Sequence, residues 1–137
     1  TYGLIEPLRA FARSKPTWGT CAGMIFLARD IGMDRQPILG VMDIVVNRNA
    51  FGRQIDSFEI DLPIKGVEGG PFPAVFIRAP IITGTGPEVS VLASLDDGRI
   101  VAAQQGHLLV TAFHPELTRD SRLHAHFLSS FESPKLR

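Results

Sequence analysis

The chain has 137 residues, one domain's worth, and an apolar share of 45%, typical of a globular core. Its 14 acidic and 14 basic residues cancel, which removes any electrostatic case for nucleic-acid or membrane-surface binding. One cysteine excludes an internal disulfide framework and fits a reducing, cytoplasmic compartment; no apolar run approaches transmembrane length, and there is no signal-peptide pattern. No repeat, low-complexity tract or linker is visible, so residues 1–137 are read as a single domain.

Leu4, Leu8, Phe11 and Ala12 fall on one side at helical spacing. Pro7 suits a first helical turn, so a helix is expected from about Glu6 until Lys15-Pro16 ends it. A short strand then leads into Gly19-Thr20-Cys21-Ala22-Gly23. The apolar run that follows predicts a helix to about Ile31, with Gly32 as its C-cap. Residues 33–39 read as a polar loop, Gly40 to Val46 as a strand, and 47–53 as a loop. Ser57 to Leu62 alternates, with Phe58, Ile60 and Leu62 on one face, as in a half-buried strand. Residues 63–73, rich in Gly and Pro, read as loop.

Ala74 to Ile77 is a short apolar run closed by Arg78-Ala79-Pro80, and Gly84-Thr85-Gly86-Pro87 reads as a turn. Val89 to Leu95 and Ile100 to Gln104 are expected strands joined by Asp96-Asp97-Gly98, a hairpin signal. Gln105-Gly106 turns the chain into the apolar run 108–113, and His114-Pro115-Glu116 follows directly. A last helix is expected near Asp120, with Leu123, Phe127 and Phe131 on one face. Helices at both ends and strands between them predict an α/β or α+β class with a mixed sheet.

Cys21, between two small residues at a strand-to-helix turn, fits a nucleophile elbow. The free N–H groups of the helix start would point at its sulfur and lower the thiol pKa. The alternative is a buried, inert cysteine. A cysteine nucleophile needs a base and a group to orient it. Of the four histidines, His107 sits beside a turn and is expected to be exposed. His124 and His126 are two apart on a helix, so they share no face and read as solvated surface. His114 stands at the C-terminal end of a strand, where open α/β sheets place ligands. Glu116 points the same way if the segment is extended, and Pro115 stiffens the pair. Such a carboxylate can fix an imidazole tautomer; the bland alternative is a loop ion pair. Spacing alone does not bring Cys21 to His114.

Gly19-Thr20-Cys21-Ala22-Gly23-Met24 and Phe113-His114-Pro115-Glu116-Leu117-Thr118 resemble the two catalytic segments of class I, triad-type glutamine amidotransferases. Residues Val45 to Gln54, Asp56-Ser57-Phe58-Glu59 and Phe76-Ile77-Arg78-Ala79-Pro80 narrow the resemblance to the PdxT/SNO family, the glutaminase subunit of pyridoxal phosphate synthase. It extends from Thr1 to the last helix. The resemblance implies an α/β, flavodoxin-like three-layer fold with a mixed sheet. It implies hydrolysis of L-glutamine to glutamate and ammonia, with the ammonia passed to a barrel-shaped synthase subunit that makes pyridoxal phosphate, and no metal or organic cofactor. Carried over by position, Cys21 is the nucleophile, His114 the general acid/base and Glu116 its orienting carboxylate. Ala22 supplies an oxyanion N–H, Arg48 binds glutamine, and Ile77 and Arg78 border it.

The family opens with β-α units and a Gly-Gly-Glu-Ser loop before the segment that matches here. No such loop occurs in this sequence; Gly69-Gly70 is followed by Pro71. The chain is therefore expected to correspond to the C-terminal part of a glutaminase. The alternatives are a non-catalytic remnant that keeps only a fold or partner surface, and an amidotransferase domain serving another synthase, against which the segments around Arg48 and Arg78 weigh.

Overall fold

The computed structural model describes residues 3–33, 36–48 and 57–130. Helix α1 (Ile5–Ser14) leads into strand β1 (Thr17–Thr20), a short helix α2 (Ala22–Leu27) and strands β2 (Ala28–Asp30) and β3 (Met42–Asn47). Strands β4 (Ser57–Leu62) and β5 (Phe72–Ile77) follow, then β6 (Ile81–Thr85), β7 (Ser90–Ser94), β8 (Ile100–Gln105) and β9 (Leu108–Thr111). A 3-10 turn (Pro115–Leu117) precedes helix α3 (Arg122–Ser129). Seven strands form one mixed sheet in the order β1-β9-β8-β6-β3-β2, with β7 added on β8; β4 and β5 form a separate antiparallel pair. The expected mixed α/β architecture is therefore present, with few and short helices.

Strand β9 is buried at every residue, as befits a strand covered on both faces. It pairs with β1 in parallel, Thr17 opposite Leu108 through Thr20 opposite Thr111. Both strands thus leave the sheet at the same end, β1 into Cys21 and β9 into Ala112-Phe113-His114. The two-stranded ribbon is fastened to this end. Phe72 and Phe76 of β5 meet Phe113 with ring centroids 5.9 and 5.5 Å apart, and the His114 N–H donates to the Val75 carbonyl at 2.8 Å.

The structure departs from the sequence expectations at several points. Helix α2 stops at Leu27 instead of Ile31, because tertiary pairing overrides helix propensity. The Phe26 and Leu27 carbonyls accept from the N–H groups of Leu39 and Val41, and Ala28–Asp30 pairs in parallel with β3. Gly32 does adopt positive φ, but in a turn where its N–H donates to Asp30 Oδ1 at 2.8 Å. Gly84 and Thr85 belong to a strand not foreseen, β6, and the turn begins only at Gly86. A side chain at Gly86 would collide with the Asp43 carboxylate. Phe72 and Pro73 lie in β5; alternate N–H groups of a two-stranded ribbon point away from the partner, so Pro73 is tolerated.

His107, expected to be exposed, is half-buried, its Nε2 2.6 Å from the Ala12 carbonyl. That contact and the bond from Arg9 Nε to the Leu39 carbonyl, at 2.8 Å, hold α1 to the body. Helix α1 forms where spacing predicts, yet Leu4, Leu8 and Phe11 remain exposed and only Ala12 is buried. His126 is half-buried and meets Gln104 Oε1 at 3.0 Å. Phe131 and residues 49–56, including much of the segment behind the narrower family resemblance, lie outside the described residues.

Candidate active site

The site is built at the shared exit of β1 and β9. Cys21 takes φ +52°, and among the described residues only Arg78, at φ +47°, is another non-glycine with positive φ. Such conformations cost roughly 1–3 kcal/mol and persist only where surrounding contacts enforce them. At Cys21 the N–H donates to the Thr111 carbonyl at 2.8 Å, while its carbonyl accepts from Met24 N–H at 3.0 Å. Gly19 permits this turn: a Cβ there would lie 2.6 Å from the backbone carbonyl group of Gly23. Gly23 itself faces open space, so only the first glycine of the pattern is demanded by packing.

The half-buried Cys21 thiol lies 3.7 Å from the Ile77 carbonyl. Burial pushes the thiol pKa up; the Ala22 N–H, bonded to the sulfur, pulls it down, and the Glu116 charge adds to the rise. The net direction is upward, which corrects the expected low-pKa thiol. A single N–H at the start of a six-residue helix does not outweigh desolvation.

His114 is half-buried with extended backbone, and its Nδ1 lies 2.7 Å from Glu116 Oε2. The pair forms as expected, although Pro115 and Glu116 belong to a 3-10 turn and not to an extended segment. Burial raises the Glu116 pKa, but its bond to His114, its own backbone N–H and the charges of His114 and His124 outweigh that and hold it below the usual carboxylate range.

His124, read from sequence as solvated surface, thus acts on Glu116, and its ring lies 4.9 Å from that of Trp18. Neither Trp18 nor Thr111 is marked by a catalytic motif in the sequence. A lone threonine within the apolar run 108–113 is the signal that could have found the second. Arg78 is exposed directly after Ile77. Arg48 sits apart, donating to Met33 Sδ at 3.0 Å and lining a cavity of about 500 Å³ with Asp30, Asn47 and Thr83. Neither Cys21 nor His114 is among the described residues of that cavity. No cluster of three or more His, Cys, Asp or Glu able to hold a metal occurs among the described residues.

Comparison with known proteins bears on what this arrangement serves. A solved structure described as a glutamine amidotransferase superposes with a TM-score of 0.85 at 48% identity, covering 94% of this chain and 68% of that one. Proteins named pyridoxal 5'-phosphate synthase subunit PdxT from Roseiflexus sp. and Herpetosiphon aurantiacus are 56% and 59% identical over 131 residues. That is 93% of this chain and 69% of each relative. The model of the SNO glutamine amidotransferase family matches residues 1–133, and with such relatives sharing more than half of the aligned residues, this chain belongs to that family.

Proposed function

We propose that this chain is the glutaminase subunit of a pyridoxal phosphate synthase, hydrolysing L-glutamine to glutamate and ammonia with Cys21, His114 and Glu116 as its triad. The observation that carries the reading is the His114–Glu116 pair, 2.7 Å apart, at the sheet end where the strained Cys21 turn also emerges. The family membership supplies the substrate class.

Glu116 engages Nδ1, which leaves Nε2 of His114 for proton transfer. Burial favours the neutral thiol, so His114 takes the Cys21 proton as Sγ attacks the side-chain carboxamide carbon of glutamine. The C=O bond becomes an oxyanion, with the Ala22 N–H as the donor already directed at the reacting centre. One such donor is worth about 3 kcal/mol. His114 returns the proton to the amide nitrogen, the C–N bond breaks, and ammonia leaves a thioester on Cys21. Water then attacks that thioester, giving its proton to His114; the C–S bond breaks, and protonation of sulfur regenerates the thiol and frees glutamate. Glu116 stabilises the imidazolium formed twice in this cycle.

Ile77 and Arg78 border the substrate, which the Ile77 contact with Sγ and the strained Arg78 backbone support. Only the family resemblance assigns Arg48 to glutamine: its planar fork suits a carboxylate, but it lines a cavity that includes neither Cys21 nor His114. The ammonia passes to a barrel-shaped synthase subunit, and the chain works in the cytoplasm, where a catalytic thiol stays reduced. Ammonia release from glutamine, measured with and without the synthase subunit, tests the reading. Turnover should appear with the synthase and vanish in Cys21→Ala, whereas undiminished release by Cys21→Ala would overturn it.

A further inference from the structure

Thr111 is the one buried polar residue among the described residues, with no exposed surface. Its carbonyl accepts the Cys21 N–H at 2.8 Å. Its hydroxyl accepts from Trp18 Nε1–H at 3.1 Å and donates to the Phe113 carbonyl at 3.2 Å. Trp18 lies three residues before Cys21, and Phe113 lies directly before His114. One residue therefore holds the cysteine arm by two bonds and the histidine arm by a third. Both arms are also fixed from outside. The Trp18 ring rests on His124 and Phe127 of α3, at 4.9 and 5.3 Å, and the His114 N–H is bonded to Val75 of β5.

Packing alone does not call for a hydroxyl here. The neighbours Leu108, Leu109, Val110, Ala112 and Phe113 are all apolar and buried, and valine has the same branched shape and a high strand propensity. A buried hydroxyl is retained at no cost only while its donor and acceptor capacities are used, and both are used between the two catalytic arms.

We propose that Thr111 is a positioning residue that sets the placement of Cys21 relative to His114. The proposal rests on the reading of those two residues as nucleophile and base. Displacement of reacting groups by about 1 Å can cost a hundred-fold in rate without weakening ground-state binding, so the signature belongs in kcat and not in KM.

The experiment compares Thr111→Val, Thr111→Ser and Trp18→Phe with the parent glutaminase in complex with its synthase subunit. It measures glutamine turnover per folded protein and, separately, the pH profile of Cys21 alkylation by iodoacetamide. Thr111→Val should lower kcat about tenfold or more with KM little changed. It should also move the alkylation midpoint down toward that of an ordinary cysteine, because a loosened arm relieves the burial that raises the thiol pKa. Thr111→Ser, which keeps the hydroxyl, should restore both readouts. Trp18→Phe should resemble Thr111→Val, and the double variant should lose no more than either single, since the bonds form one chain. A folded Thr111→Val protein with parental kcat and alkylation profile would overturn the proposal, as would a serine variant no better than valine. Alkylation does not depend on glutamine. A parent inert toward glutamine whose alkylation profile still responds to Thr111→Val would sink the glutaminase reading and leave the positioning role standing.

Discussion

Glu116 acts on both members of the proposed dyad, with opposite consequences. Its bond to His114 Nδ1 orients the base, while its charge raises the Cys21 pKa. Glu116→Gln removes that charge, so the alkylation midpoint of Cys21 should fall even as glutamine turnover falls. The turnover loss should be smaller than for His114→Ala, where loss of the acid/base costs about 10²–10⁴-fold. An unchanged midpoint in Glu116→Gln would show that the carboxylate is not felt at the sulfur. Glu116 and Cys21 also contribute to the acid and alkaline arms of the pH–stability profile. The folded-state pKa of Glu116 is depressed, so its contribution is present above the ordinary glutamate value of about 4.3 and is lost as pH falls through the lower folded value. The folded-state pKa of Cys21 is raised, so its contribution is present below the ordinary 9.0 and is lost as pH rises beyond that. Chemical denaturation across pH should therefore show a shallower acid arm in Glu116→Gln and a shallower alkaline arm in Cys21→Ala.

At the scale of elements, the contact between β1 and α2 decides whether the elbow exists. The Gly19 Cα faces the Gly23 carbonyl group so closely that an added Cβ would sit 2.6 Å from backbone atoms, which cannot rotate away. Gly19→Ala should cost about 1–3 kcal/mol or more, read as a lowered urea midpoint, and should misplace Cys21. Gly23→Ala is the control. Its Cβ meets nothing, and alanine is the better helix former by roughly 0.8–1 kcal/mol, so stability should hold or rise. Equal losses from the two would show that the glycines act through chain flexibility and not through close approach. Arg122 at the start of α3 pairs with Asp120. It also donates to the carbonyls of Glu68, Gly70 and Pro71, so one side chain anchors the loop that leads into β5.

Across the whole molecule, Phe113 is where the large sheet and the β4–β5 ribbon become one body. It is fully buried, touches Phe72 and Phe76 of the ribbon, and immediately precedes His114. Phe113→Ala should lower stability by about 3–5 kcal/mol, measured by denaturation. Turnover of the remaining folded fraction should fall too, because the ribbon that receives the His114 N–H loses its seat. Loss of stability with full turnover per folded molecule would separate the ribbon from the site.

The sequence by itself determined the features that depend on local chemistry. The Gly-x-Cys turn, the hairpin at Asp96-Asp97-Gly98, the alternation in β4, and the His114–Glu116 pair joined through Pro115 all rest on neighbours in the chain, and each is present. The family resemblance came from the same short segments. What only the tertiary structure decided depends on residues distant in sequence. Helix α2 was shortened because β3 and its approach captured the Phe26 and Leu27 carbonyls. Strand β6 took Gly84 because the sheet offered it partners on both sides, and α1 buries Ala12 while leaving Leu4, Leu8 and Phe11 exposed. That Cys21 and His114, 93 residues apart, leave the sheet at the same end follows from the parallel pairing of β1 with β9, a register that no periodicity within either strand specifies. The direction of the thiol pKa belongs to the same class, because desolvation is a property of the packed fold and the helix-start N–H a property of the local turn.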